Sequence, residues 1–247
     1  MTGRPRSASD EAIFEAVAAV VTASGPSGLT LAAVGERAGL SAPALAQRFG
    51  SKQRLLAAFA ARQVIAVTDA LASARAGQPD PVSALVTVLV ALPGAVTTRD
   101  GVANNLAFLQ MDLTDPQLRP HAVAHSRALR DGIAALVTDA IQAGLLSTAT
   151  DPGPLAADLW TAYCGAMVTW AIDGTGTLPG WIAEHLERTL APHRDLVKFM
   201  QQHWENVLTA RPPCPHRPGK PSPRACRTSS RGGDPMALLE HGDHRQR

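Results

Sequence analysis

An all-α protein is predicted by three features of this sequence. Apolar residues recur at helical spacing along most of the chain, and no run before residue 210 alternates with the period of a strand. Capping residues and Gly or Pro breakers fall where short and then longer helices would start and stop. The chain has 247 residues, of which 45% are apolar and 18% charged, enough for two globular parts with a buried core. Aromatics are only 4%, so aliphatic side chains and alanine must do most of the packing.

Ser9 is placed to cap a first helix, with Asp10 and Glu11 where negative charge suits the helix dipole. Ile13, Val17, Val20 and Val21 share one face of it, and Gly25 supplies a stop. Thr30 caps a second, short helix ending at Gly39, and Ser41 caps a third ending at Gly50. Ser51 caps a fourth, which carries Leu55, Leu56, Phe59, Gln63, Val67 and Leu71 towards Gly77. Gln78-Pro79-Asp80-Pro81 then breaks the chain, because proline does not fit a helix interior. Longer helices are expected over roughly 82–92, 102–113, 117–144, 154–173 and 179–190. Asp115-Pro116, Asp151-Pro152-Gly153-Pro154 and Asp173-Gly174-Thr175-Gly176 separate the last four. Leu196 to Leu208 would add one more amphipathic piece. Residues 209–247 hold seven of the nineteen prolines and eight basic residues, with few apolar side chains. Such a segment buries too little area to offset the entropy of ordering it, and disorder is expected.

The formal charge of +2 is unevenly spread. Residues 1–62 carry +3, residues 63–208 carry −6 and residues 209–247 carry +5. A basic head suggests an anionic partner. Cys164, Cys214 and Cys226 are too few and too irregular for a disulfide framework or a zinc site, so a reduced, cytoplasmic protein is expected. Met1-Thr2-Gly3-Arg4-Pro5-Arg6 lacks the apolar stretch of a signal peptide. The longest apolar segment, Ala84 to Val96, is broken by Thr87 and Pro93-Gly94, and no run approaches the ~18 apolar residues of a span; no membrane partner is expected. His121 and His125 share a helix face, but no Glu follows His121 and no Cys lies near, so no metal and no cofactor are expected. Cys214-Pro215-His216 reads as incidental. A Gly-rich phosphate loop, a Gly-x-Ser-x-Gly elbow and a coupled nucleophile and base are all missing, which argues against an enzyme.

Residues 30–52 carry the function. Val34, Ala38, Leu40, Leu45 and Phe49 are spaced so that two short helices share one small core. Gly35 is small where they would cross, and Gly39 stands at a sharp turn that favours positive φ. This is a helix-turn-helix, whose second helix offers its N-terminal residues to the major groove. Ala42, Pro43, Ala44, Gln47 and Arg48 lie on or near the exposed face of that helix. Arg can pair with guanine and Gln with adenine; either can instead touch phosphate, which positions without specifying.

Ala38-Gly39-Leu40-Ser41, Leu45, Phe49 and Ser51-Lys52, followed by Leu55-Leu56, resemble the TetR family of bacterial transcriptional repressors. The likeness covers residues 9–73. It implies a three-helix helix-turn-helix DNA-binding domain over 1–52, a helical ligand-binding and dimerisation domain over 53–208, and the tail over 209–247. It implies a phosphate contact for Lys52, and for the helix N-termini capped by Thr30 and Ser41, where capping alone is the other reading. Arg4 and Arg6 resemble the basic arm of some members, or are simply solvated. Ala46 stands where the family usually has an aromatic, and Arg48 where a second is frequent, so an aromatic phosphate contact is lost and Arg48 is an electrostatic substitute.

A weaker likeness runs from Leu155-Ala156-Ala157-Asp158-Leu159-Trp160 through Gly165, Trp170 and Asp173-Gly174. It implies a homodimer through the helices near 154–173 and 179–190; an ordinary buried helix pair is the other reading. The family's effector pocket would be lined by Phe108, Met111, Trp160, Tyr163 and Met167 and polarised by Asn105, Gln110 and His125, residues that a bundle without ligand could equally use. The −6 of the middle region favours a neutral or cationic effector. Together these imply a dimeric repressor that leaves palindromic operator DNA when a small molecule binds, with the fourth helix as lever. An effector-independent architectural DNA-binding protein is the alternative, ahead of a helical enzyme.

Overall fold

The computed structural model describes residues 8–78 and 80–194. The expected helix at 196–208, the tail at 209–247, and Arg4 and Arg6 lie outside the described residues. Within them the chain is helical, and its one β-type pairing is an isolated bridge between Leu146 and Arg194.

Capping chemistry sets the helix starts. Helices α1 (Asp10–Gly28), α2 (Leu31–Ala38), α3 (Ala42–Phe49) and α4 (Lys52–Gly77) follow Ser9, Thr30, Ser41 and Ser51. Each of these side chains accepts the backbone N–H three residues on, at 3.1–3.3 Å. Gly25, at φ 63°, kinks α1 and detaches its last residues as a separate turn. Gly39 ends α2 at φ 68°, the left-handed conformation its position demands.

Helices α5 (Pro81–Ala91), α6 (Arg99–Thr114), α7 (Arg119–Gln142), α8 (Pro152–Asp173) and α9 (Leu178–Leu190) form the larger part, closed by a 3₁₀ turn at Ala191–His193. Asp80, Thr98, Asp151 and Thr177 cap α5, α6, α8 and α9. Thr98 starts α6 three residues before the expected position, because its Oγ1 takes the Gly101 N–H at 3.0 Å.

Two apolar cores result. One gathers Ile13, Val17, Val21, Val34, Leu45, Leu55 and Phe59 from α1–α4, and reaches Phe108 of α6 and Leu118. The other gathers Leu71, Leu85, Leu89, Leu129, Ile133, Leu159, Trp170, Ile182 and Leu186 from α4–α9. Helices α4 and α6 therefore contribute to both. By length and a mean hydropathy of 1.5, α4 also passes as a membrane span. Charges such as Arg62 and Asp69 interrupt it, so it holds no unbroken apolar run of that length. Here it buries one face, that of Leu55, Leu56, Phe59, Val67 and Leu71, with Leu71 pressed so closely against Gly132 of α7 that a Cβ there would lie 2.5 Å from Leu71 Cδ1.

Candidate nucleic-acid interface

The helix-turn-helix is held together at close quarters. A Cβ on Gly35 would sit 2.5 Å from the Leu40 carbonyl oxygen, so α2 and the turn meet where only glycine fits. The Leu40 N–H donates to the Gly35 carbonyl at 2.8 Å. Leu45 is fully buried beneath α3, and Val34 beneath α2. The opposite side of α3 is open: Ser41, Pro43, Gln47 and Arg48 are exposed, with Ala42, Ala44 and Ala46 half-buried beside them. The sequence-predicted groove face is thus one contiguous strip. Gln47 makes no side-chain hydrogen bond among the described residues.

Arg48 differs. Its Nη1 donates to the Ala8 carbonyl at 2.5 Å, and its Nη2 lies 2.6 Å from Asp10 Oδ1. Its guanidinium carbon stands 5.9 Å from the centroid of the Phe49 ring. Nothing in the local pattern around Arg48 announces this link, which spans forty positions. A second tie, also invisible to local pattern, joins Arg62 of α4 to Glu11 by paired bonds of 3.0 and 3.1 Å. Both fix the start of α1. Lys52, half-buried at the first turn of α4, makes no ion pair among the described residues. Thr30 and Ser41 cap their helices from the exposed side. An exposed helix face flanked by helix N-termini and a free lysine is suited to a duplex.

Two family models match this chain. "Bacterial regulatory proteins, tetR family" matches residues 13–59, and "Tetracyclin repressor-like, C-terminal domain" matches residues 105–186. The chain belongs to the TetR family. It is a DNA-binding transcriptional regulator of that family. Solved TetR-like structures agree in fold. A putative TetR-family regulator from Rhodococcus sp. superposes with a TM-score of 0.58 at 22% identity, over 75% of this chain and 98% of that one. A putative regulator from Saccharomonospora viridis, solved in complex with choline, gives 0.59 at 20%, over 74% and 95%. SmeT, repressor of a multidrug efflux pump of Stenotrophomonas maltophilia, gives 0.53 at 22%, over 78% and 93%. Its triclosan complex gives 0.56 at 21%, over 75% and 91%. No curated protein is similar enough to count as a match.

The residues expected to line a TetR-type effector pocket fall in different places. Trp160 and Tyr163 stack at 5.2 Å with 12° between their planes, and Tyr163 and Met167 belong to the bundle core or its edge. Burial pushes the Tyr163 phenol well above its usual range. Phe108 instead enters the core of the reading head, edge-on to Phe59 at 6.1 Å, and Met111 packs beside it. Asn105 spends its amide on Thr22 Oγ1 (3.3 Å) and the Gly101 carbonyl (2.8 Å), while Gln110 is exposed. His125 is half-buried on α7, where desolvation lowers its pKa. A cavity of about 300 Å³ lies between Lys52, Gln53 and Leu56 of α4 and Met111, Asp115, Gln117 and Leu118 at the α6–α7 corner. Of the expected pocket residues, Met111 borders it.

Proposed function

We propose that this TetR-family regulator is a homodimeric repressor that leaves a palindromic operator when a small molecule binds its helical bundle. The observation that carries this reading is the course of α6. At its start, Arg99 Nη2 donates to the Gly174 carbonyl at the end of α8 (2.8 Å). Further on, Asn104 Nδ2 donates to the Thr22 carbonyl of α1 (3.0 Å), and Asn105 bonds the Thr22 hydroxyl. Its last turns put Phe108 and Met111 into the core of the reading head. An effector that displaces α6 within the bundle therefore moves the helix on which α1 rests. The lever expected from sequence was α4 alone; α6 shares that role.

Exposed Val168 and Ile172 on α8 support a dimer. Ile172 is 70% exposed, and Gly165 has open space where a Cβ would stand. The choline and triclosan complexes of two fold relatives support a small-molecule effector. Ala42, Pro43, Ala44 and Gln47 face the groove in this reading; Thr30, Ser41 and Lys52 meet phosphate.

A ligand shifts the balance only by its difference in affinity between DNA-competent and incompetent states. A coupling of ~1–3 kcal/mol weakens operator binding ~5–150-fold, and operator weakens the ligand equally. The test pairs thermal-shift screening of neutral and cationic amphiphiles with anisotropy of labelled operator and solution mass. Compounds that stabilise the protein should release operator while the dimer mass persists. Stabilising compounds that leave operator affinity unchanged would favour the effector-independent reading.

A further inference from the structure

The cavity of about 300 Å³ at the corner of α6 and α7 stands apart from Trp160, Tyr163 and Met167 of the bundle, none of which borders it. Its volume is at the lower end of the ~300–1,000 Å³ typical of small-molecule sites. Leu56, Met111 and Leu118 line it with apolar surface, and Leu56 and Leu118 are buried. Gln53 and Gln117 add exposed amides. Lys52 and Asp115 add one cation and one anion, both half-buried, and no ion pair joins them among the described residues. Asp115 Oδ1 accepts the Gln117 N–H at 2.7 Å, which fixes the carboxylate and leaves its other oxygen without a hydrogen bond among the described residues. Opposite charges that border one cavity without pairing suit a guest that carries both. A purely cationic guest would face Lys52, and a purely anionic one Asp115, with a like charge unanswered in either case.

We propose that this cavity is a second small-molecule site, separate from the bundle, that takes a small zwitterion with an apolar side chain, of the α-amino-acid type, and that its occupant competes with DNA for Lys52. The carboxylate of the guest takes the Lys52 ammonium, its ammonium takes Asp115, and its side chain lies on Leu56, Met111 and Leu118. A lysine so held is not offered to a phosphate, so the occupied protein loses one backbone contact, alike on every duplex. The inference rests on the reading of Lys52 as a phosphate contact and needs no effector in the bundle.

The test titrates the full chain with leucine, methionine and phenylalanine by calorimetry, each beside the amine and the acid that keep only one of its charges. The best-bound amino acid should bind at least about 10-fold tighter than either counterpart, as loss of a hydrogen bond to a charged group implies. Asp115→Asn keeps the acceptor for the Gln117 N–H, and Gln117→Trp adds bulk at the cavity. Each should weaken amino-acid binding by a like factor while leaving duplex binding undiminished when no amino acid is present. Saturating amino acid should weaken duplex binding by the wild type and lower its salt slope by ~1; Lys52→Ala should show that lower slope from the start and no response to amino acid. No binding by any of the three at millimolar concentration would overturn the inference. So would equal binding by a one-charge counterpart, full binding by Asp115→Asn, or an unchanged salt slope with the site saturated. Bundle effectors that release operator while no amino acid binds would leave the repressor reading standing and strike this one alone. Lys52→Ala with wild-type duplex affinity and slope would remove the phosphate contact on which the competition depends.

Discussion

Among the described residues the side chains of Lys52 and Gln47 make no hydrogen bond or ion pair, and they stand on different helices, Lys52 at the start of α4 and Gln47 on α3. Lys52 at the start of α4 suits phosphate, so Lys52→Ala should weaken binding to every sequence by a similar factor and reduce the salt slope by ~1 in anisotropy titrations. Gln47 is exposed on α3, and Gln47→Ala should cost ~1–3 kcal/mol and relax preference at one operator position. Unchanged preference would move specificity to DNA shape or to the first turn of α3. Asp112 of α6 is a different case. Burial, and next the charge of Asp115, push its carboxyl up to about 6, and its Oδ1 is buried without a partner among the described residues. An unfolded aspartate ionises near ~3.9. The folded state therefore holds the proton more tightly, and the group's penalty grows as pH rises from ~4 to 6 and is full above that. Asp112→Asn should stabilise the protein at pH 7.5 by on the order of 1 kcal/mol, discounted for its partial exposure, with the gain vanishing below pH ~4. Denaturant melts at the two pH values check this; equal gains at both would contradict it.

At the scale of elements, capping and glycine placement carry most of the information. Gly35 faces the Leu40 carbonyl so closely that Gly35→Ala must shift the turn, and it should lower stability by ~1–3 kcal/mol in thermal melts. An unchanged midpoint would mean that the turn relaxes freely. The four N-terminal helices were legible because Ser9, Thr30, Ser41 and Ser51 each precede an apolar stripe, and Gly39 and Gly50 close two of them. The start of α6 is not legible in the sequence, because Arg99-Asp100-Gly101 is polar and its cap, Thr98, lies outside the apolar pattern. The recognition strip was legible for the same local reason as its helix. Links between distant positions were not: Arg48 to Asp10, Arg62 to Glu11, Asn104 and Asn105 to Thr22, and Arg99 to Gly174 depend on how helices cross. The dispersal of the expected pocket residues has that cause too. Phe108 and Met111 have the right chemistry for a bundle pocket, but α6 passes against α1 and turns them into the reading head.

Over the whole molecule, charge and symmetry make the strongest demands. The basic segments flank an acidic middle, so removing residues 211–247 should leave cooperative melting and the number of chains per particle unchanged while weakening non-specific DNA binding at low salt. Loss of cooperative melting on truncation would contradict that expectation. In the proposed dimer one reading head would cover one half-site, and the exposed apolar positions Val168 and Ile172 of α8 would pair two. Two heads related by a two-fold axis require an operator with the same symmetry, and recognition helices in successive major grooves stand ~34–36 Å apart. Selection of bound duplexes from random DNA by the full-length protein tests this most directly. The account predicts enrichment of a palindrome whose half-site centres are about one helical turn apart, or a whole multiple of it. Enrichment of no motif, with equal affinity for every duplex, would contradict it.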